Sequence, residues 1–185
     1  MTRGPAGKNI VLIGYRGTGK STVGRLLAAR IGYGFVSTDE LIKECAAQSI
    51  TDFVAAHGWE AFRYLESRVV EECAKGSGAV IDTGGGVVLR PENVTALRAH
   101  GLVVWLTADP AAIAERIQDG DDRPALTEGR TFLEEIAEIV NARKPLYECA
   151  ADCTVATDGQ PPEAIASLIL ERLRASGWFP PGGTA

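Results

Sequence analysis

The chain has 185 residues, 45% of them hydrophobic and 23% charged, with a formal net charge of −5. That length suits one domain with a sizeable core, and the acidic balance argues against nucleic acid or an anionic membrane as a partner. No apolar run reaches the roughly 20 residues of a membrane span, and residues 1–8 lack the apolar centre of a secretory signal, so the cytoplasm is the expected location.

Residues 9–13 read as a short buried strand stopping at Gly14, and residues 20–31 as a helix with Val23, Leu26 and Leu27 at helical spacing and Gly32 as its stop. Phe35 and Val36 suggest a second short strand. Residues 39–47 follow as a helix that Ser37 or Thr38 would cap. A helical stretch at 52–57 ends at Gly58, and a longer helix at 60–75 shows Phe62, Leu65, Val69, Val70 and Cys73 on its apolar face. A strand at 79–81 runs into Gly84-Gly85-Gly86. A helix at 91–100 opens on Pro91, an apolar strand covers 102–106, and a helix covers 110–118. Residues 120–130 are polar, contain glycine and proline, and read as a mobile lid. Residues 131–149 are helical with an interruption at Pro145, 153–156 form a last strand, and 162–176 a last helix. Residues 177–185 hold two prolines and three glycines and read as a loose tail.

The predicted strands alternate with helices and are apolar throughout, as strands are when helices cover both faces of a parallel sheet. The expected fold is therefore α/β and three-layered, in one domain over residues 1–176, with a central parallel sheet of about five strands. Cys45, Cys73, Cys149 and Cys153 have no paired spacing and only two histidines accompany them, so they read as reduced thiols rather than metal ligands.

Residues 14–21, Gly-Tyr-Arg-Gly-Thr-Gly-Lys-Ser, fit G-x-x-x-x-G-K-[ST] without a mismatch, after a strand and at the start of a helix. Glycines let the backbone curl until its N–H groups face phosphate oxygens, and the positive end of the following helix points to the same place. Lys20 would neutralise the β- and γ-phosphates of a nucleotide, and the Ser21 hydroxyl is a hard ligand for Mg²⁺. The expected ATP-binding set is thus Gly17, Thr18, Gly19, Lys20, Ser21 and Thr22.

Further pieces follow: Ser37-Thr38-Asp39 after the second strand and Asp82-Thr83-Gly84-Gly85-Gly86 after the third, at strand ends where parallel sheets bind ligands; Phe62-Arg63 on a helix; Arg123-Pro124 in the lid-like loop; and Arg143 just before Pro145-Leu146-Tyr147. In this order and spacing they resemble the shikimate kinases, small P-loop enzymes, over about residues 9–173. The resemblance implies transfer of the ATP γ-phosphate to the 3-hydroxyl of shikimate, in the pathway to aromatic amino acids, with Mg²⁺ and by a monomer. It implies that Lys20, Asp39 and Arg123 are catalytic. Asp39 would bond the acceptor hydroxyls and take the attacking proton, while Arg123 would close on the transferring phosphoryl with the lid. Arg63 and Arg143 would clamp the acceptor carboxylate beside Gly84, Gly85 and Gly86, and Arg116 would lie against the adenine.

One departure stands out. Where the family usually has an aspartate that supports Mg²⁺, this chain has Ser37, yet it carries Asp82 at the end of the next predicted strand. Asp82 then takes the place of a Walker B carboxylate and joins Ser21 as a metal-site residue. Two alternatives remain at this point: a kinase of another hydroxy acid such as gluconate, and a weakly active nucleotide-binding module, which the loss at Ser37 would favour.

Overall fold

The computed structural model describes residues 8–117 and 132–178. β1 (Asn9–Ile13) enters the phosphate-loop segment, and α1 (Lys20–Ile31) leaves it. β2 (Gly34–Ser37) leads into α2 (Thr38–Ala46), then α3 (Ile50–Lys75) and β3 (Ala79–Asp82). After a 3₁₀ turn at Val87–Leu89 come α4 (Pro91–His100), β4 (Gly101–Thr107), α5 (Pro110–Ile117), α6 (Phe132–Ala150), β5 (Cys153–Ala156) and α7 (Pro162–Ala175). The five strands pair in parallel in the order β2-β3-β1-β4-β5.

The sheet is covered on both sides, which explains its continuous apolar strands. Ile10 and Leu12 face a cluster that includes Val23 and Leu27 of α1 and Ile165 and Ile169 of α7. Their neighbours Val11 and Ile13 face the other way, against Val70 of α3, Leu97 of α4 and Tyr147 of α6. All of β1 is buried. This alternation is the period-two geometry of a strand with apolar partners on both faces.

Ser37 caps α2 by accepting a hydrogen bond from the Glu40 N–H, so of the two expected caps it is Ser37 that serves. Thr38 is the first helical residue and is fully buried. α3 starts earlier than the residue pattern indicates, because Ser49 accepts from the Asp52 N–H and caps it. Gly58, at φ 79°, breaks that helix into the two stretches read from the sequence. The expected interruption at Pro145 is corrected: α6 continues to Ala150. Proline removes one N–H from the ladder, but both Pro145 and Asn141, whose carbonyl loses its helical donor, are exposed to water. Tyr147 and Ala150, buried beyond it, anchor the final turns.

The first part of the expected tail packs: the Trp178 N–H donates to the Leu173 carbonyl at 3.0 Å, and its ring lies against the α1–α7 cluster. Residues 179–185 and the expected lid at 120–130 lie outside the described residues. The four cysteines are free thiols.

Candidate active site

The carboxyl ends of β1, β2 and β3 open on a cavity of about 800 Å³, lined among others by Lys20, Ser21, Asp39, Asp82, Gly85 and Arg116. Gly14, Gly17 and Gly19 all take positive φ. At Gly14 a Cβ would overlap the Leu106 carbonyl, so the loop cannot curl there with any larger residue. The Thr18 hydroxyl donates to the Tyr15 carbonyl at 2.8 Å and staples the turn from inside. Thr18 is buried, and its backbone N–H donates to the same Tyr15 carbonyl at 3.4 Å, so both of its donors support the loop from inside. Thr22 is exposed and lines the cavity.

α1 begins differently from its neighbour. Its first residue follows Gly19, with no side-chain cap and no acid in the first turn. α2 has the Ser37 cap and two first-turn acids, Asp39 and Glu40. The uncapped N–H groups of α1 are therefore kept for an anion. Lys20, only 7% exposed, donates to the Gly14 carbonyl at 2.9 Å and the Tyr15 carbonyl at 3.0 Å. Its ammonium thus rests on the loop that phosphates would enter.

The Ser21 hydroxyl donates to Asp82 Oδ2 at 2.6 Å, the length of a charge-assisted O–H···O⁻ bond. Asp82 is nearly buried, and burial pushes its carboxyl above the usual range while Lys20 and Ser21 pull it back. Ser37 and Asp82 are register partners on β2 and β3. These are hard oxygen donors of the kind Mg²⁺ takes. No cluster of three or more His, Cys, Asp or Glu fit for a metal occurs among the described residues. An ion here would therefore rest largely on substrate phosphates, as Mg²⁺ does in nucleotide sites.

The glycine triplet forms the other wall. The Gly84 N–H donates to the Thr38 hydroxyl oxygen at 3.1 Å. A Cβ on Gly84 would sit 2.7 Å from Asp39 Oδ1 and 3.0 Å from Glu66 Oε1, so the triplet lets two carboxylates close in. A Cβ on Gly86 would overlap the Arg63 guanidinium. Arg63 Nη1 donates to Glu66 Oε2 at 2.6 Å, and Glu66 is 1% exposed. Of the two glutamates near Arg63 on its own helix, Glu66 is the partner, and Glu60 instead pairs with Arg90. Arg143 Nη1 donates to the Gly85 carbonyl at 3.0 Å. Arg63 and Arg143 thus meet consecutive residues of one turn, Gly86 and Gly85, and Asp39 meets the third, Gly84.

Arg116 spans the far side of the phosphate loop, donating to the Gly17 carbonyl at 3.2 Å and to the Thr157 hydroxyl and carbonyl, each at 3.1 Å. Arg123 lies outside the described residues. Thr38, Glu66 and Tyr147 join the site without having been assigned to it. Glu66 and Tyr147 had a signal in their spacing from Arg63 and Arg143; Thr38 reads only as a helix cap.

A parallel sheet that ends in a phosphate loop beside an arginine-bearing pocket defines a P-loop kinase of a small acceptor. The family model for shikimate kinase matches residues 16–174. The shikimate kinase of Symbiobacterium thermophilum is 42% identical over 170 residues, covering 91% of this chain and 98% of that one. A shikimate kinase from Acinetobacter baumannii, solved in complex with shikimate, superposes with a TM-score of 0.88 at 29% identity, over 92% of this chain and 95% of that one. A gluconokinase from Sinorhizobium meliloti reaches 0.54 at 20% identity, over 92% and 95%, a likeness of fold alone. The chain belongs to the shikimate kinase family.

Proposed function

We infer that the protein transfers the γ-phosphate of ATP to the 3-hydroxyl of shikimate. The observation that carries this reading is the convergence of Arg63, Arg143 and Asp39 on the glycine triplet, whose Gly85 abuts the phosphate loop. Two planar guanidinium groups suit a carboxylate better than ammonium groups do.

The loop N–H groups and Lys20 would hold the β- and γ-phosphates, with Lys20 exchanging its loop carbonyls for phosphate oxygens. Arg63 and Arg143 would clamp the acceptor carboxylate, and the Gly85 N–H would meet the same ligand. Asp39 would bond the acceptor hydroxyls and receive the proton of the attacking one. Arg123 would meet the transferring phosphoryl, and Arg116 would flank the adenine. When bound, Mg²⁺ supplies positive charge against the phosphates, and Ser21 and Asp82 would hold it. Such a site works mainly by positioning and charge neutralisation.

The family resemblance makes a monomer the expected state. No helix among the described residues is long and apolar enough to cross a membrane, and a cytoplasmic location fits the ATP requirement. Coupled ADP release measured with shikimate, with gluconate and without acceptor tests the reading. Release should depend on shikimate; equal release with gluconate, or without acceptor, would overturn it.

A further inference from the structure

One backbone carbonyl ties the acceptor side of the site together. The Gly85 oxygen accepts from Arg143 Nη1 at 3.0 Å and from the Tyr147 hydroxyl at 2.5 Å. A carbonyl oxygen offers two lone pairs, so both are engaged. The two donors are unlike. Arg143 is a long, half-buried side chain. Tyr147 is 1% exposed, and its ring stacks on Trp105 of β4 at 5.6 Å between centroids. Burial pushes the Tyr147 hydroxyl up to about 12, so it remains a donor at any working pH. Gly85 also abuts the phosphate loop: a Cβ there would lie 3.2 Å from the Arg16 backbone nitrogen and 3.5 Å from the Gly14 oxygen. A shift of this peptide would move the acceptor's contact and press on the loop.

We propose that Tyr147 is a positioning residue for the acceptor: its hydroxyl holds the Gly85 carbonyl in place when Arg143 leaves it for the acceptor carboxylate. This rests on the reading of Arg143 as a carboxylate clamp. Without Tyr147, turning Arg143 toward the acceptor would leave a buried carbonyl unpaired, and that penalty would oppose acceptor binding. With Tyr147 in place, Arg143 is released without that penalty, and the Gly85 N–H keeps its aim.

Calorimetric titration of the full-length protein with ADP, and of the ADP complex with shikimate, tests the proposal. Tyr147→Phe keeps the ring and its stacking and removes the hydroxyl. It should bind shikimate roughly 5- to 150-fold more weakly, the change expected when a buried carbonyl is left unpaired, with ADP affinity unchanged. In turnover, KM for shikimate should rise more than kcat falls. Equal shikimate affinity in wild type and variant overturns the proposal. So does an equal loss of ADP and shikimate affinity, which would mark a merely structural hydroxyl. Wild-type protein that binds ADP but no shikimate overturns the acceptor reading, and the proposal with it. Should Tyr147→Phe fail to fold, 3-fluorotyrosine placed at position 147 supplies a more acidic, stronger donor. Shikimate should then bind more tightly, and unchanged affinity overturns the proposal.

Discussion

Removing Asp82 should weaken the coupling of Mg²⁺ to nucleotide. Asp82 Oδ2 accepts from the Ser21 hydroxyl at 2.6 Å, which orients that hydroxyl and leaves its lone pairs toward the cavity. A hydrogen bond to a charged group contributes about 1.5–3 kcal/mol, so Asp82→Ala should raise the Mg²⁺ concentration for half-saturation by roughly 10- to 150-fold. Ser37→Asp should restore part of that loss, because Ser37 is the register partner of Asp82 and aspartate caps a helix as well as serine does. Ser37→Asp alone should do less. It sets a second carboxylate one strand away, about 4.8 Å, where repulsion at an effective dielectric of about 20 is roughly 3 kcal/mol. The assay is Mn²⁺ electron paramagnetic resonance or calorimetry on the ADP complex, with turnover against Mg²⁺ as a second readout. Unchanged metal affinity in Asp82→Ala would refute this account, leaving Ser37 as a plain loss and Asp82 without a part in metal binding.

Arg143→Ala should cost ~2–5 kcal/mol in kcat/KM for shikimate while sparing ATP binding, as read by calorimetry. Arg63→Ala should do the same and also lower the melting temperature, since it takes an ion-pair partner from the buried Glu66. Gly86→Ala should mimic the loss of Arg63 in shikimate titrations, because the added methyl occupies the guanidinium's place. Near-normal shikimate affinity in that variant would show that the guanidinium can shift freely. Arg123→Ala should lower kcat far more than shikimate affinity, and an unchanged kcat would remove it from the mechanism.

Contiguous features were legible in the residues themselves, whereas the dispersed site residues were reached only through the family resemblance, without their contacts. Residues 14–21 could be read because the phosphate loop is local: its glycines, Lys20 and Ser21 lie within eight positions after a buried strand. Uniformly apolar strands revealed a sheet covered on both faces. The glycine triplet could be seen, but not why it is needed. Only packing shows that Gly84 admits Asp39 and Glu66 and that Gly86 admits Arg63. Arg63 had two nearby glutamates, and the choice of Glu66 depends on Arg90, remote in sequence, pairing with Glu60. Pro145 gives a local signal for a helix end, but buried Tyr147 and Ala150 outweigh it. The adjacency of Ser37 and Asp82 follows from β2 pairing with β3, a register no local pattern contains.

Phosphorus and proton NMR of the reaction with ATP, Mg²⁺ and shikimate tests the central claim most directly. The account predicts one new phosphomonoester signal, coupled to the proton on carbon 3 of shikimate, that grows as ATP is consumed and is absent when shikimate is omitted or replaced by gluconate. ATP consumed to inorganic phosphate alone, or phosphate transferred equally to gluconate, would contradict it.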